Sequence, residues 1–161
     1  MIGKEAYITP KPGTIITYNG TFNLDKLYKE AKKWFRDNNY LFSEKEYKEK
    51  VWAHGNELKL DFIAERKIDD YTKFWIKANF LMLNVKKLSK DVYVGSFHLN
   101  IIGYIEFDYN NKWQYNPIKK FLFFIYNNLI IKHKIENVIG LKLYNEVLQF
   151  EDLIKRNLGM L

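Results

Sequence analysis

The stretch Thr72-Lys73-Phe74-Trp75-Ile76-Lys77-Ala78-Asn79-Phe80-Leu81-Met82-Leu83-Asn84-Val85 decides the fold. Phe74, Ile76, Ala78, Phe80 and Met82 recur at every second position, which puts them on one face of a β-strand. The other face starts polar with Lys73, Lys77 and Asn79, then turns apolar at Leu81, Leu83 and Val85. A strand of this length implies a coiled sheet, because long flat sheets are unusual.

The same alternation extends in both directions. Upstream, Leu58, Leu60, Phe62 and Ala64 alternate with Glu57, Lys59, Asp61 and Glu65, one face apolar and one wet. Downstream, in the run Val92 to Tyr109, Tyr93, Phe97, Leu99, Ile101, Ile105 and Phe107 share a face, with Gly95 and Gly103 in phase. Glycine on a packed strand face marks a bend or a close approach. Asp69-Asp70 and His54-Gly55-Asn56 supply turns. The charge-rich Ser43 to Ala53 reads as an exposed edge strand, with a helix as the alternative. Thr14 to Tyr18 is a short β-type run that ends at an expected Asn19-Gly20 turn. Residues 1–13, with Pro10, Pro12 and Gly13, read as an extended arm with a short strand around Tyr7, and 14–161 as a single domain.

Three helices complete the pattern. Leu24, Leu27, Tyr28, Ala31, Trp34 and Phe35 repeat at helical spacing behind Asn23, a side chain suited to the N-cap, and Asn38-Asn39 ends the run. Asn116-Pro117 opens a second helix, with proline at the favoured first position. Its stripe Ile118, Phe121, Leu122, Ile125 and Leu129 is expected to pack on the sheet. A third helix, roughly 136–158, carries Ile139, Leu143, Val147, Phe150 and Ile154. Whether these last two are separate or one bent rod stays open. Strands grouped between helices, without alternating βαβ units, give an α+β domain. The expected form is an antiparallel, strongly bent sheet of about four to five strands, with one N-terminal and two C-terminal helices packed on it.

The formal net charge is +7, and only Arg36, Arg66 and Arg156 among the basic residues are arginine. Reading of base edges and bidentate gripping of phosphate favour arginine, so a lysine surplus fits contact with a charged backbone. The abundance of Lys, Asn, Ile, Tyr and Phe also fits an A/T-rich genome, which accounts for part of the charge without function. The absence of cysteine excludes a disulfide scaffold and thiol chemistry. No stretch reaches the length of a membrane span, and the N-terminus lacks a signal pattern, so a cytoplasmic protein is expected.

Two constellations point to nucleic acid. Lys26, Lys29, Lys33 and Arg36, with Lys32 nearby, form a stripe opposite the apolar face of the first helix. Such a stripe suits phosphate contacts, although it is also the ordinary pattern of a solvated helix face. Lys73, Trp75 and Lys77 interleave an aromatic ring with two cations on the wet face of the sheet, where an unpaired base can stack. In the second helix, Phe123 with Ile130 and Phe124 with Ile131 form ridges beyond the main stripe. They call for cover by the third helix or by a second copy in a homodimer.

Catalytic chemistry finds no assembled residues. His98 lies about 26 Å along the strand from Glu106, at ~3.3 Å per residue, and Asp61 and Glu65 stand ~13 Å apart by the same measure. No phosphate loop, metal-ligand spacing or nucleophile elbow is present. No catalytic residue, metal or cofactor is expected.

Ala64-Glu65-Arg66-Lys67 entering the Asp69 to Phe74 turn and strand, the segment Gly103 to Tyr109, and Phe124-Ile125-Tyr126 resemble small uncharacterised archaeal proteins of about this length. That resemblance spans roughly residues 20–158 and implies no activity for any residue. The leading expectation is a non-catalytic intracellular binding protein, a homodimer associated with structured RNA or a ribosomal particle. The alternatives are a carrier of an apolar small molecule in a sheet–helix cavity and a protein–protein interaction module.

Overall fold

The computed structural model describes residues 4–113, 116–132 and 138–161. It is an α+β fold in the order β1 (Glu5–Tyr7), β2 (Thr14–Asn23), α1 (Leu24–Asp37), β3 (Leu41–Lys50), β4 (Asn56–Lys67), β5 (Thr72–Ser89), β6 (Val92–Phe107), α2 (Pro117–Ile125) and α3 (Gly140–Asn157). A π-helical segment, Tyr126–Ile131, continues α2. The six strands form one antiparallel sheet ordered β1-β6-β5-β4-β3, with β2 beside β1 along the same edge of β6. The strand count exceeds the expected four to five because the N-terminal arm joins the sheet, with Tyr7 opposite Tyr104.

The alternation in β4, β5 and β6 sets which face is buried. Phe62, Phe74, Ile76, Ala78, Phe80, Phe97 and Leu99 lie on the inner face and are closed to solvent. α1 covers this face on the β3 side and α3 on the β6 and β2 side, and the two helices touch each other. α1 buries Leu27, Ala31 and Phe35, and its start is capped by the Asn23 Oδ1, which accepts the Lys26 amide at 2.8 Å. α3 buries Leu143, Val147, Phe150 and Ile154, the expected stripe. α3 approaches the sheet closely at Gly103: a Cβ there would lie 2.9 Å from Val147 Cγ2.

Three expectations meet the structure differently. The Ser43 to Ala53 strand is present, but it starts at Leu41, ends at Lys50 and carries a bulge between Glu44 and Glu46. The Asn19-Gly20 turn does not form. β2 runs straight through, because Tyr18 folds its ring over Gly20 and donates its hydroxyl to the Thr21 carbonyl at 3.1 Å. A Cβ at position 20 would lie 2.6 Å from the Tyr18 hydroxyl, so a side chain there would displace that ring.

The third difference is α2. Its stripe does not lie on the sheet: Ile118, Phe121, Leu122 and Leu129 are exposed, and no residue of Pro117–Ile125 is buried. α2 instead turns Phe123 toward Tyr71 (ring centroids 6.3 Å apart), while buried Asn127 takes the Tyr71 hydroxyl at 2.7 Å. Tyr126 packs edge-on against Tyr71 and stacks on Trp113. The Tyr71 hydroxyl satisfies the Asn127 Oδ1, while the buried Nδ2 has no partner among the described residues. Residues 133–137, where a bend or break between the last two helices would fall, lie outside the described residues.

Candidate functional site

Lys29, Lys32, Lys33 and Arg36 occupy positions i, i+3, i+4 and i+7 of α1, which places them on one side of the helix. They line a groove of about 400 Å³ whose remaining wall is Tyr40 and Phe42. These two aromatic residues follow the turn that ends α1. Asn38 donates its amide to the Trp34 carbonyl, Asn39 adopts φ 60°, and Tyr40 donates its amide to the Phe35 carbonyl at 2.8 Å. Asn tolerates that left-handed conformation, so the chain reverses and returns along α1 as β3.

No carboxylate lines the groove. Lys29 donates to Asp25 at 2.7 Å, which raises its pKa through that hydrogen bond and the carboxylate charge, and Arg36 Nε stands 3.7 Å from Asp37. Lys26, Lys32 and Lys33 have no ion-pair partner among the described residues. Lys26 starts the stripe but lies beyond the groove lining. Three of the four stripe residues therefore share one concavity with Lys32.

Lys73, Trp75 and Lys77 lie on the opposite face of the sheet from α1, so the two expected nucleic-acid elements do not meet. Their groups are partnered within the chain. Trp75 Nε1 donates to Glu106 at 2.8 Å, and its ring lies parallel to that of Tyr104, with centroids 5.9 Å apart. Tyr7 of β1 stacks on the same tyrosine at 5.3 Å. Lys73 reaches Glu65 at 3.3 Å and sits over both Trp75 and Tyr109, while Lys77 sits over Tyr104. Burial holds the Tyr104 phenol well above its ordinary pKa, helped by the nearby carboxylates of Glu5 and Glu106.

Of the expected dimer residues, Phe123 faces the body of the protein and Phe124 is exposed; the side chains of Ile130 and Ile131 lie outside the described residues. The larger exposed set is Ile118, Phe121, Leu122 and Leu129.

A sheet–helix cavity of about 310 Å³ opens where α1 begins, with Tyr28, Tyr47 and Tyr93 around it and Leu60 and Met82 among its apolar lining. Sequence reading placed Tyr28 and Tyr93 on apolar faces without assigning them or Tyr47 to a site, and it did not use Tyr40 or Phe42. Each set comes together only once β3 is placed against α1 and β4, and no local spacing records that placement.

Among the described residues, no group of three or more His, Asp or Glu is arranged to hold a metal ion, and no helix is long and apolar enough to cross a membrane. Comparison with protein-family models, curated proteins and solved structures finds no match to this chain.

Proposed function

We propose that this chain is a non-catalytic binding protein for structured RNA, or for a ribosomal particle that presents it, and that α1 supplies the contact. The observation that carries this reading is the carboxylate-free groove lined by Lys29, Lys32, Lys33 and Arg36. These cations span seven positions of helix, a row roughly 10 Å long at 1.5 Å per residue. A row suits a polyanion better than a lone phosphate. Three of the four are lysines, which act as point charges on phosphate and carry no base code. Phe42, partly exposed beside the buried Tyr40, gives the groove an apolar wall against which a sugar or base can rest.

The homodimer belongs to the same proposal. Ile118, Phe121, Leu122 and Leu129 leave an apolar face of α2 in water, and a second copy covers it through an isologous contact. By helical spacing, Lys120 falls on the other side of α2 from this face and Lys119 at its margin, so the centre of the contact is free of charge.

Pull-down from a native lysate, with and without nuclease, tests the RNA reading. Co-purified RNA that disappears with nuclease supports it. Recovery of protein or lipid alone, unchanged by nuclease, contradicts it.

A further inference from the structure

The cavity at the start of α1 differs in charge from the rest of this basic protein. Its aromatic sides come from three elements: Tyr28 of α1, Tyr47 of edge strand β3 and Tyr93 of β6. Two of these rings are anchored, since Tyr28 packs edge-on against Phe62 at 5.6 Å and Tyr93 stacks with Phe22 at 6.3 Å. Leu60 and Met82, both buried, add the apolar part.

Three carboxylates complete the lining: Asp25, Glu44 and Asp91. Lys29 pairs with Asp25 at 2.7 Å and adds positive potential near Asp91. Glu44 accepts the Tyr28 hydroxyl at 2.9 Å, and neither Glu44 nor Asp91 has an ion-pair partner among the described residues. The lining thus carries three carboxylates and no cation of its own; the nearby cations are Lys29, paired with Asp25, and Lys32, whose Nζ lies 6.0 Å from the Tyr28 ring centroid, on a chain whose overall charge is +7.

We infer that this cavity binds a small organic cation with an apolar body, of the alkylammonium class. Tyrosine rings attract a cation through their negative faces, and they do so without the hydration cost that a carboxylate-only site imposes on a bulky ammonium. The carboxylates add attraction and repel anions. A volume of about 310 Å³ lies at the small end of ligand cavities, which limits the ligand to a compact group. This site adjoins the lysine groove through the Lys29–Asp25 pair but shares no lining residue with it, and it goes beyond the RNA reading.

Isothermal titration of the full chain with choline as probe tests it, against 3,3-dimethylbutan-1-ol, the uncharged carbon analogue of choline. Choline should bind saturably and several-fold tighter than the alcohol, the ratio expected for cation–aromatic contacts at a partly exposed site. Tyr47→Leu and Asp91→Asn should each weaken choline several-fold with an unchanged melting temperature. Tyr47 lies exposed on an edge strand, and asparagine tolerates the φ of 63° at position 91. Equal binding of the two probes, no saturable choline binding at millimolar concentration, or full binding by both variants would overturn the inference.

Discussion

Arg66 Nη2 lies 2.7 and 2.9 Å from the two carboxylate oxygens of Glu146 and so joins β4 to α3. The same guanidinium donates to the Asn38 carbonyl at the end of α1 and sits over the rings of Tyr40 and Phe74. Tyr40 donates its hydroxyl to Glu146 at 2.6 Å. One largely buried pair thereby fixes both inner helices, and also the turn that supplies Tyr40 to the basic groove. Removing one partner strands the other charge, so Glu146→Ala should cost about 3–5 kcal/mol. Chemical denaturation checks this; a loss below about 1 kcal/mol would mean the pair is solvated and holds little.

Alkaline pH should unfold the protein through its buried tyrosines. Burial raises the Tyr40 pKa well above the ordinary 10.0, and hydrogen bonding to Glu146 and the charge of that carboxylate add to it. Burial also raises Tyr71 and Tyr104. A folded pKa above the unfolded one stabilises fully below the unfolded value, and that stability is lost as pH rises through the folded value. Melting temperature should therefore fall once pH passes about 10, and Tyr40→Phe should flatten that fall. An alkaline slope identical in the variant would contradict the assignment.

Gly103 should not tolerate a side chain. A Cβ at 2.9 Å from Val147 Cγ2 enters a fully buried contact, so Gly103→Ala should destabilise by about 1–3 kcal/mol. Because the clash is with Val147, the Gly103→Ala/Val147→Ala pair should lose less than the sum of its single substitutions. Strict additivity in thermal or denaturant unfolding would place the cost elsewhere.

The two sides of α2 should respond differently to charge. Phe121→Asp, on the exposed side, should split dimers while leaving the monomer's melting temperature unchanged. Phe123→Asp, facing Tyr71, should instead detach α2 and destabilise the chain. Sedimentation and thermal melting of both variants separate these outcomes. A wild-type chain that is monomeric at all concentrations removes the dimer.

The strands β4 to β6 were legible because each has one buried face, and a period of two records that directly in Phe62, Phe80 or Leu99. The helix cap Asn23 was legible for a similar reason, accepting the Lys26 amide at 2.8 Å, and Pro117 marked the start of α2, where Asn116 proves to be the cap. α2 was misread because its apolar residues run nearly all round, so the pattern does not say which side meets the protein. That choice is made by Tyr71, more than forty residues upstream, through its contacts with Phe123 and Asn127. Trp75 between two lysines was legible as a pattern, but its partners Tyr104, Glu106 and Glu65 arrive through strand pairing. The basic stripe was visible as helical spacing, whereas the groove needed Tyr40 and Phe42, which a left-handed turn at Asn39 brings back beside α1.

The most direct test of the α1 groove is the salt dependence of binding to a structured RNA, followed by fluorescence anisotropy. Wild-type chain should bind at low salt, with affinity falling log-linearly as salt rises. Lys33→Gln/Arg36→Gln should weaken binding and make that slope shallower by about two, one per lost phosphate contact. Trp75→Ala, on the other face of the sheet, should leave the slope unchanged. Absence of binding at low salt, or a slope that the double substitution does not alter, would contradict the account.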